Sequence, residues 1–214
     1  MIAEKLLACA LRACAKPMPL DPRNTLFLAF AQCPAGGAPE AIIGQLSAGH
    51  AGIALNGAGG AIVQSDGYAA YAPLPAASFG AGDFLLDIAF DGKNVPSVTT
   101  QGSYSVSAAN GNLYVSTSGL AWDYVIPISP PPGQNHVAVG RQAGVVQAWL
   151  NGSRVFRAAD AAAGANPIEK IDVNQWTQQT GADMTVHSVR ICYGVDLYGD
   201  NANIAVPTLP LGIV

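Results

Sequence analysis

The chain has 214 residues, enough for one large β domain or two small ones, and a formal net charge of −4. Its ten Lys and Arg residues are scattered, which argues against nucleic acid as a partner because phosphate binding needs clustered cations, and no apolar run is long enough to span a membrane. Charged residues make up only 11% of the chain, so either the composition reflects an Ala- and Gly-rich coding bias, or neighbouring subunits cover much of the surface in an assembly.

An amphipathic helix is predicted over residues 2–15, where good helix formers carry an apolar stripe. Pro17 and Pro19 end it, and residues 16–24 are expected to form an extended connector. An isolated helix of this length is marginal in water, so it must dock either on the chain's own domain or on another subunit. The side chains that would anchor it are Ile2, Leu6, Leu7 and Leu11. The sequence thus predicts an N-terminal arm and connector, residues 1–24, and a β domain, residues 25–214.

The cysteines predict a protein that folds in a cytoplasm. Cys9, Cys14, Cys33 and Cys192 form no CxxC pair and no disulfide framework, so we expect them to be reduced and buried. The first fifteen residues lack the basic region of a secretion signal, which argues against secretion.

Short β segments separated by Gly-rich turns are predicted from residue 25 onward, at residues 25–32, 41–46, 52–55 and 61–64. The clearest strand is predicted over residues 83–91, where large apolar side chains alternate with a second set that includes Asp87 and Asp91. This period of two is typical of a half-buried strand whose acidic side chains face solvent.

Two hairpins are predicted around Asn110-Gly111 and Asn151-Gly152, because Asn-Gly favours the type I′ turn whose twist matches paired strands. Residues 136–141 are expected to pair with residues 145–150, and residues 185–193 form the last strong strand. Many short strands at regular spacing, with no βαβ alternation, predict an all-β sandwich or barrel.

No group of residues predicts catalysis or a metal site. His50, His136 and His187 show no ligand spacing. Glycoside hydrolysis needs two carboxylates about 5–10 Å apart, and Asp87 and Asp91 are too widely spaced along one strand for a retaining pair. We therefore expect no enzymatic activity.

Three polar or reactive side chains are predicted to be architectural. Arg190 is expected to pair with an acid such as Asp196, and His136 to hydrogen-bond the backbone or a neighbouring loop. Cys192 is expected to be a small core residue.

Three segments carry a resemblance in order: AAYAPLPAASFGAGDFLLDIAF at residues 69–90, NHVAVGRQAGVVQAWLNGSRV at residues 135–155 and SVRICYGVDLYGDNANIAVPT at residues 188–208. Together they resemble the concanavalin A-like, laminin-G-like jelly rolls of bacteriophage tail and fibre proteins, over roughly residues 25–210. The resemblance implies a two-sheet antiparallel jelly-roll sandwich, to which the short N-terminal α-helix is an addition. No cofactor is expected: a calcium ion rests on the family analogy alone, since no clustered-Asp motif supports one.

The same resemblance implies a non-enzymatic structural or adhesion subunit of a bacteriophage or prophage virion, in the tail tip, baseplate or fibre. Such a subunit is made in the host cytoplasm and is oligomeric in the particle. Its partners would be other virion subunits, with the apolar helix inserted into a groove of a neighbour. The alternative is a capsid decoration protein that contacts only other virion proteins.

A host-surface carbohydrate is a further expected partner. Sugar sites on such sandwiches stack an aromatic ring on the sugar and add hydrogen bonds from Asn or Asp side chains. The predicted glycan-binding residues are Trp122, Asp123 and Tyr124 in one loop, with Asn94 and Trp176 as further candidates. The alternative for Trp122 is a half-buried ring packed under the loop at residues 130–132.

Overall fold

The fold comes from a computed structural model, which describes residues 17–18, 24–29, 38, 45–55, 60–72, 82–100, 105–160, 171–173, 184–194, 198–206 and 212–213. The predicted helix with Ile2, Leu6, Leu7 and Leu11 lies outside these residues, as do Trp176, Asp196 and three of the four cysteines. The fourth, Cys192, is a buried thiol, as expected.

The described residues form β-strands and turns, which confirms the all-β prediction. In chain order the strands are β1 (Pro17–Met18), β2 (Asn24–Ala29), β3 (Gln45–Leu55), β4 (Ala61–Ala72), β5 (Phe84–Asp91), β6 (Val98–Thr100), β7 (Ser105–Ala109), β8 (Asn112–Ser116), β9 (Tyr124–Pro127), β10 (Gln134–Gln142), β11 (Val145–Leu150), β12 (Ser153–Ala159), β13 (Ile171–Val173), β14 (Met184–Tyr193) and β15 (Gly212–Ile213). No helix in this part of the chain is long and apolar enough to cross a membrane.

Most of the strands lie in two antiparallel layers. The order in the first layer is β12-β11-β10-β5-β14, with β2 on the other edge of β14, and in the second it is β9-β8-β7-β6-β13-β4-β3. β4 links the layers, because residues 61–63 pair with β14 and residues 69–71 pair with β13. The predicted two-sheet antiparallel sandwich is thus confirmed.

β1 and β15 form a separate parallel pair, in which Pro17 lies opposite Gly212 and Met18 opposite Ile213. Part of the predicted connector is therefore extended and pairs with residues near the C-terminus. The division of the chain into residues 1–24 and 25–214 stays a prediction.

One apolar core fills the space between the layers. Because side chains on a strand alternate between its two faces, every second residue of each central strand points into this core. The first layer contributes Phe84, Leu86, Ile88, Phe90, Val137, Val139, Val146, Ala148, Val189 and Ile191, and the second contributes Val98, Val106, Leu113, Val115 and Ile126. Burying a side chain of this size contributes about 1.5–3 kcal/mol, so this set holds the two layers together.

The two Asn-Gly hairpins have the predicted turn geometry. The φ angles are 52° and 74° at Asn110-Gly111 and 49° and 85° at Asn151-Gly152, as a type I′ turn requires. Ala143-Gly144 also has two positive φ angles, 49° and 75°. Alanine in this conformation costs about 1–2 kcal/mol, and its amide donates a hydrogen bond to Asp83 Oδ1 at 2.8 Å that holds the turn in place.

β3 and β4 are longer than the sequence predicts, with 11 and 12 residues. The segments predicted at residues 41–46, 52–55 and 61–64 are parts of these two strands or lie just before them. The pairing of β3 with β4 shifts register between Leu46 and His50 and again between Ala51 and Ile53. Such irregularities bend a strand, and in the sequence they resemble strand ends.

The prediction that β5 is half-buried is wrong, because both of its faces are covered from Phe84 to Phe90. Its outer face lies under residues 198–206, whose Tyr198 and Ile204 pack on a second apolar cluster of Leu85, Ala138, Trp149 and Cys192. The indole nitrogen of Trp149 donates to the carbonyl of Asn201 at 2.8 Å. The alternation of side chains within β5 could not predict this cover, because the covering segment lies more than a hundred residues away in the sequence.

Asp87 is consequently 1% exposed rather than solvated. Its carboxylate accepts hydrogen bonds from Arg190 Nε at 2.9 Å and from the Tyr198 hydroxyl at 3.1 Å. Arg190 thus pairs with Asp87, directly opposite it on the neighbouring strand, and the expected partner Asp196 lies outside the described residues. Burial would lower the pKa of Arg190, but the Asp87 carboxylate outweighs this effect and raises that pKa above its ordinary value, so the guanidinium stays charged.

The expected hydrogen bond of His136 is also a wrong prediction. The side chain is 1% exposed, and neither ring nitrogen has a hydrogen-bond partner among the residues that the structure describes. The ring lies edge-on to Tyr198 with 6.3 Å between centroids. Burial lowers the pKa of His136, the Asp87 carboxylate opposes this, and Arg190 adds to it, so the imidazole is neutral.

Candidate functional site

An aromatic and aliphatic surface lies on the outer face of β8 and β9 and on the loop between them. Leu120 is 92% exposed, Val125 53% and Trp122 46%. The Trp122 ring meets the ring of Tyr114 edge-on, with 5.9 Å between centroids and 61° between planes. We call Tyr114, Leu120, Trp122 and Val125 the aromatic patch.

The alternation of β8 and β9 places these side chains outward. Leu113 and Val115 are buried in the core, so Tyr114 between them points away from it. Val125 lies directly opposite Tyr114 and faces the same way, while its neighbour Ile126 is buried. The sequence predicted Trp122 but not Tyr114, although the position of Tyr114 between two core residues indicates an outward-facing side chain.

Asp123 shapes the loop that carries Trp122. One carboxylate oxygen accepts the backbone amides of Thr117 at 2.7 Å and Ser118 at 2.8 Å, and the Ser118 hydroxyl donates to the same group. Burial would raise the pKa of Asp123, but these hydrogen bonds outweigh it and lower that pKa. The carboxylate predicted to bind a sugar is thus bound by its own loop.

Tyr124 points into the sandwich, away from Trp122. Its ring packs against Phe156 with 5.2 Å between centroids, and its hydroxyl donates to Asp160 Oδ1 at 3.1 Å. Burial and the negative charge of Asp160 raise the pKa of this phenol to about 12. Of the three loop residues predicted from the sequence, Trp122 is the one that presents an aromatic face to solvent.

Asp160 anchors the same loop to the rest of the fold. Besides Tyr124 it accepts the Thr117 hydroxyl at 3.1 Å and Arg141 Nη1 at 2.9 Å. Arg141 in turn donates from Nη2 to the carbonyl of Gly82 at 2.7 Å. The side chains of Asp160 and Arg141 are 2% and 1% exposed, so this carboxylate joins both ends of the Trp122 loop to β10. The sequence did not predict this role, because Asp160 stands in an alanine-rich stretch and its partners are distant along the chain.

The remaining predicted sugar-binding residues are not in the patch. Asn94 lies at the opposite end of β8, beside the Asn110-Gly111 turn, and Trp176 is outside the described residues. The loop at residues 130–132 lies at that end too, because Pro130 lines the same cleft as Asn94. Trp122 therefore does not pack under this loop, and its ring lies against Tyr114 instead. Among the residues that the structure describes, no three His, Cys, Asp or Glu side chains converge as metal ligands would.

Comparison with known proteins identifies the fold. No protein-family model and no curated protein matches the chain. The binding domain of botulinum neurotoxin serotype D superposes with a TM-score of 0.57 and 8% identity, over 81% of this chain and 48% of that one. Domain 4 of a GH43 extracellular arabinanase from Geobacillus stearothermophilus, solved with arabinotriose, gives 0.54 and 14% over 80% and 92%.

A sialidase from Trypanosoma rangeli, solved with a difluorosialic acid, gives a TM-score of 0.53 and 11% identity over 95% of this chain and 38% of that one. The chain therefore spans most of the arabinanase domain but about half or less of the toxin domain and the sialidase. At these identities the comparisons show a shared all-β sandwich, found both in binding domains and in enzymes.

Proposed function

We propose that this protein is a non-enzymatic adhesion subunit of a bacteriophage or prophage virion that binds a host-surface glycan through the aromatic patch. The observation that carries the proposal is the half-exposed Trp122 ring, held against Tyr114 on a loop fixed at both ends. Indole and phenol rings offer apolar faces to the C–H groups of a sugar, and such anchors dominate binding surfaces. Because the loop is already ordered, binding loses little conformational entropy.

The engagement of the acidic side chains supports a role without catalysis. Hydrolysis of a glycosidic bond needs two carboxylates that can both reach the substrate. Five of the six carboxylates whose surroundings are described already accept a hydrogen bond, namely Asp83, Asp87, Asp123, Asp160 and Asp200. The sixth, Asp91, lies 2.9 Å from His187 Nε2. Asp123 and Asp160 come together at Thr117, whose hydroxyl oxygen lies 3.4 and 3.1 Å from their carboxylate oxygens. The Asp160 side chain is buried, so it cannot reach a substrate.

The virion context rests on the sequence. Three segments resemble the jelly rolls of phage tail and fibre proteins in the same order along the chain, and the chain carries few charged residues. The predicted apolar helix of residues 2–15 would dock in a groove of a neighbouring subunit, where burying its aliphatic side chains offsets the cost of ordering it.

Glycan binding is tested on an array of bacterial surface oligosaccharides with wild type, Trp122→Ala and Tyr193→Ala. Tyr193 is the matched control, an aromatic side chain 38% exposed on β14 in the other layer. We expect wild type to bind at least one oligosaccharide, Trp122→Ala to weaken that binding by at least about tenfold, and Tyr193→Ala to keep it. Equal binding by all three proteins, or no binding by wild type, would contradict the proposal that this patch binds a glycan.

The virion role is tested by deleting residues 1–16, which keeps β1 and its pairing with β15. We expect the truncated chain to unfold at the same temperature as the full chain but to be missing from purified particles. A full-length Leu6→Asp, Leu11→Asp variant keeps the segment and removes its apolar face, so it should be missing too. Normal incorporation of either protein would contradict anchoring by the helix.

The second candidate is a capsid decoration protein, favoured by the aliphatic part of the patch. Leu120 and Val125 are exposed side chains without aromatic faces, and exposed aliphatic groups are typical of protein contacts. In that case particle images would show many copies on the head with the patch buried against capsid protein. A few copies at the tail with the patch facing outward would support the adhesion subunit instead.

A further inference from the structure

A shallow cleft that is open to solvent lies at the end of β8 opposite the Trp122 loop. Its polar lining consists of Lys93, Asn94, Asn110 and Asn112, and Ile128 and Pro130 also line it. The cleft thus combines an ammonium group, carboxamides and an apolar wall, the mixture of groups found in small-ligand sites.

The loops around the cleft are held in place by hydrogen bonds. The amide of Ile128 donates to the carbonyl of Gly111 at 2.9 Å, which ties the end of β9 to the Asn-Gly turn. The buried Asn135 side chain donates to the carbonyls of Gly92 and Pro131 at 2.9 and 2.8 Å. The segments that carry Lys93 and Pro130 are therefore joined, and the cleft is formed before any ligand binds.

Lys93 is the unpaired cation of the described chain. Of the five Lys and Arg residues that the structure describes, Arg141 and Arg190 are in buried ion pairs, and Arg154 and Arg157 both pair with Asp200. Lys93 is exposed and contacts no carboxylate among these residues. In a cleft otherwise lined by neutral groups, its ammonium is available to an anion.

The carboxamides beside it are available as well. The side chains of Asn94 and Asn110 make no hydrogen bond to any residue in the described ranges, and Asn112 uses one N–H, to the carbonyl of Asn110 at 3.3 Å. A carboxamide can both donate to and accept from a hydroxyl group, so the cleft can hold a polyhydroxylated ligand.

The cleft and the aromatic patch lie on one continuous face. Asn112 and Tyr114 are two residues apart on β8, so both point outward from the same side of the strand. On β9, Pro127 lies opposite Asn112 and Val125 opposite Tyr114. β8 has five residues and is therefore about 17 Å long, a span that suits an oligosaccharide rather than one sugar.

We propose that this face binds an acidic oligosaccharide, with a carboxylate-bearing sugar unit in the cleft against Lys93 and a second unit on Trp122 and Tyr114. The inference rests on the proposed glycan binding and adds the class of ligand to it. The carboxylate accepts from the Lys93 ammonium, and the hydroxyls of the same unit bind the carboxamides of Asn94, Asn110 and Asn112.

The test uses the carboxylated oligosaccharide that binds best on the array and the same compound with its carboxylates reduced to alcohols. Wild type, Lys93→Met, Lys93→Arg and Trp122→Ala are each titrated with both. We expect wild type to bind the acid more tightly than the reduced compound, and Lys93→Met to lose about five- to tenfold for the acid alone. Lys93→Arg keeps the charge and should stay within about twofold of wild type. Added salt should weaken wild type more than Lys93→Met.

The other outcomes distinguish failure of the acidic specificity from failure of glycan binding by the aromatic patch. Equal affinity for both compounds, or no loss in Lys93→Met, overturns the acidic specificity, and the glycan proposal then stands if Trp122→Ala still loses binding. Loss in Lys93→Met with full binding in Trp122→Ala overturns both the patch and the continuous face. No binding of any array member by wild type overturns both.

Discussion

At the scale of single residues, Asp87, which the sequence predicts to face solvent, is buried together with Arg190 and His136. Asp87 and Arg190 satisfy each other beneath Tyr198, whereas His136 is enclosed beside them with no hydrogen bond from a described residue. Burial lowers the pKa of His136 below the value of about 6.5 that it has in the unfolded chain. The unfolded chain therefore takes up a proton, as the pH falls, that the folded chain does not.

We predict that the free energy of unfolding decreases below about pH 6.5, by up to about 1.4 kcal/mol per pH unit from this side chain. His136→Phe keeps an aromatic ring against Tyr198 and does not titrate. Between pH 7.5 and 5.5, urea unfolding of wild type should show a loss about 1 kcal/mol larger than that of the variant. His187, which faces Asp91, is present in both proteins and cancels in the difference. Parallel pH profiles would contradict a neutral, buried His136.

At the scale of elements, local signals in the sequence predict turns and strands well and contacts between elements poorly. The Asn110-Gly111 and Asn151-Gly152 hairpins and the strands β5, β10, β11 and β14 are where the alternation and turn chemistry predict them. The covered outer face of β5 was not predictable in this way, because the covering segment is distant in sequence. The Asp160 anchor was missed for the same reason, since its partners come from β9, β10 and the loop after β8.

We predict that the substitution Asp160→Asn destabilises the folded protein. The change leaves the buried Arg141 guanidinium without its carboxylate, which should lower the free energy of unfolding by about 3–5 kcal/mol. Asp200→Asn is the control, since Asp200 pairs with two arginines at the surface, and it should lower stability far less. Chemical unfolding of the two variants beside wild type measures this, and similar losses for both would show that Asp160 is not a structural anchor.

Asp160→Ala tests whether the anchor positions the Trp122 loop. This change also removes the oxygen that accepts from the Thr117 and Tyr124 hydroxyls, so in the folded variant the loop should move and glycan affinity should fall although Trp122 is intact. Unchanged affinity at a temperature where the variant is still folded would separate the anchor from the binding face.

At the scale of the whole molecule, an all-β sandwich presents two outer surfaces that differ in what covers them. Residues 198–206 cover the outer face of the first layer and fill it with Tyr198 and Ile204. The outer face of β8 and β9 keeps Leu120, Trp122 and Val125 exposed. The sequence predicted the sandwich and two residues of this face, Trp122 and Asn94, but not which face would be open, because that depends on where residues 198–206 pack.

The central claim, that the open face of β8 and β9 is the recognition surface, is tested most directly by amide chemical-shift mapping. Isotope-labelled protein is titrated with the oligosaccharide selected on the array. We predict that the largest shifts fall in residues 112–125 and around Lys93 and Asn94, with little change in β11, β12 and residues 198–206. Shifts concentrated on the face under residues 198–206 would contradict the account.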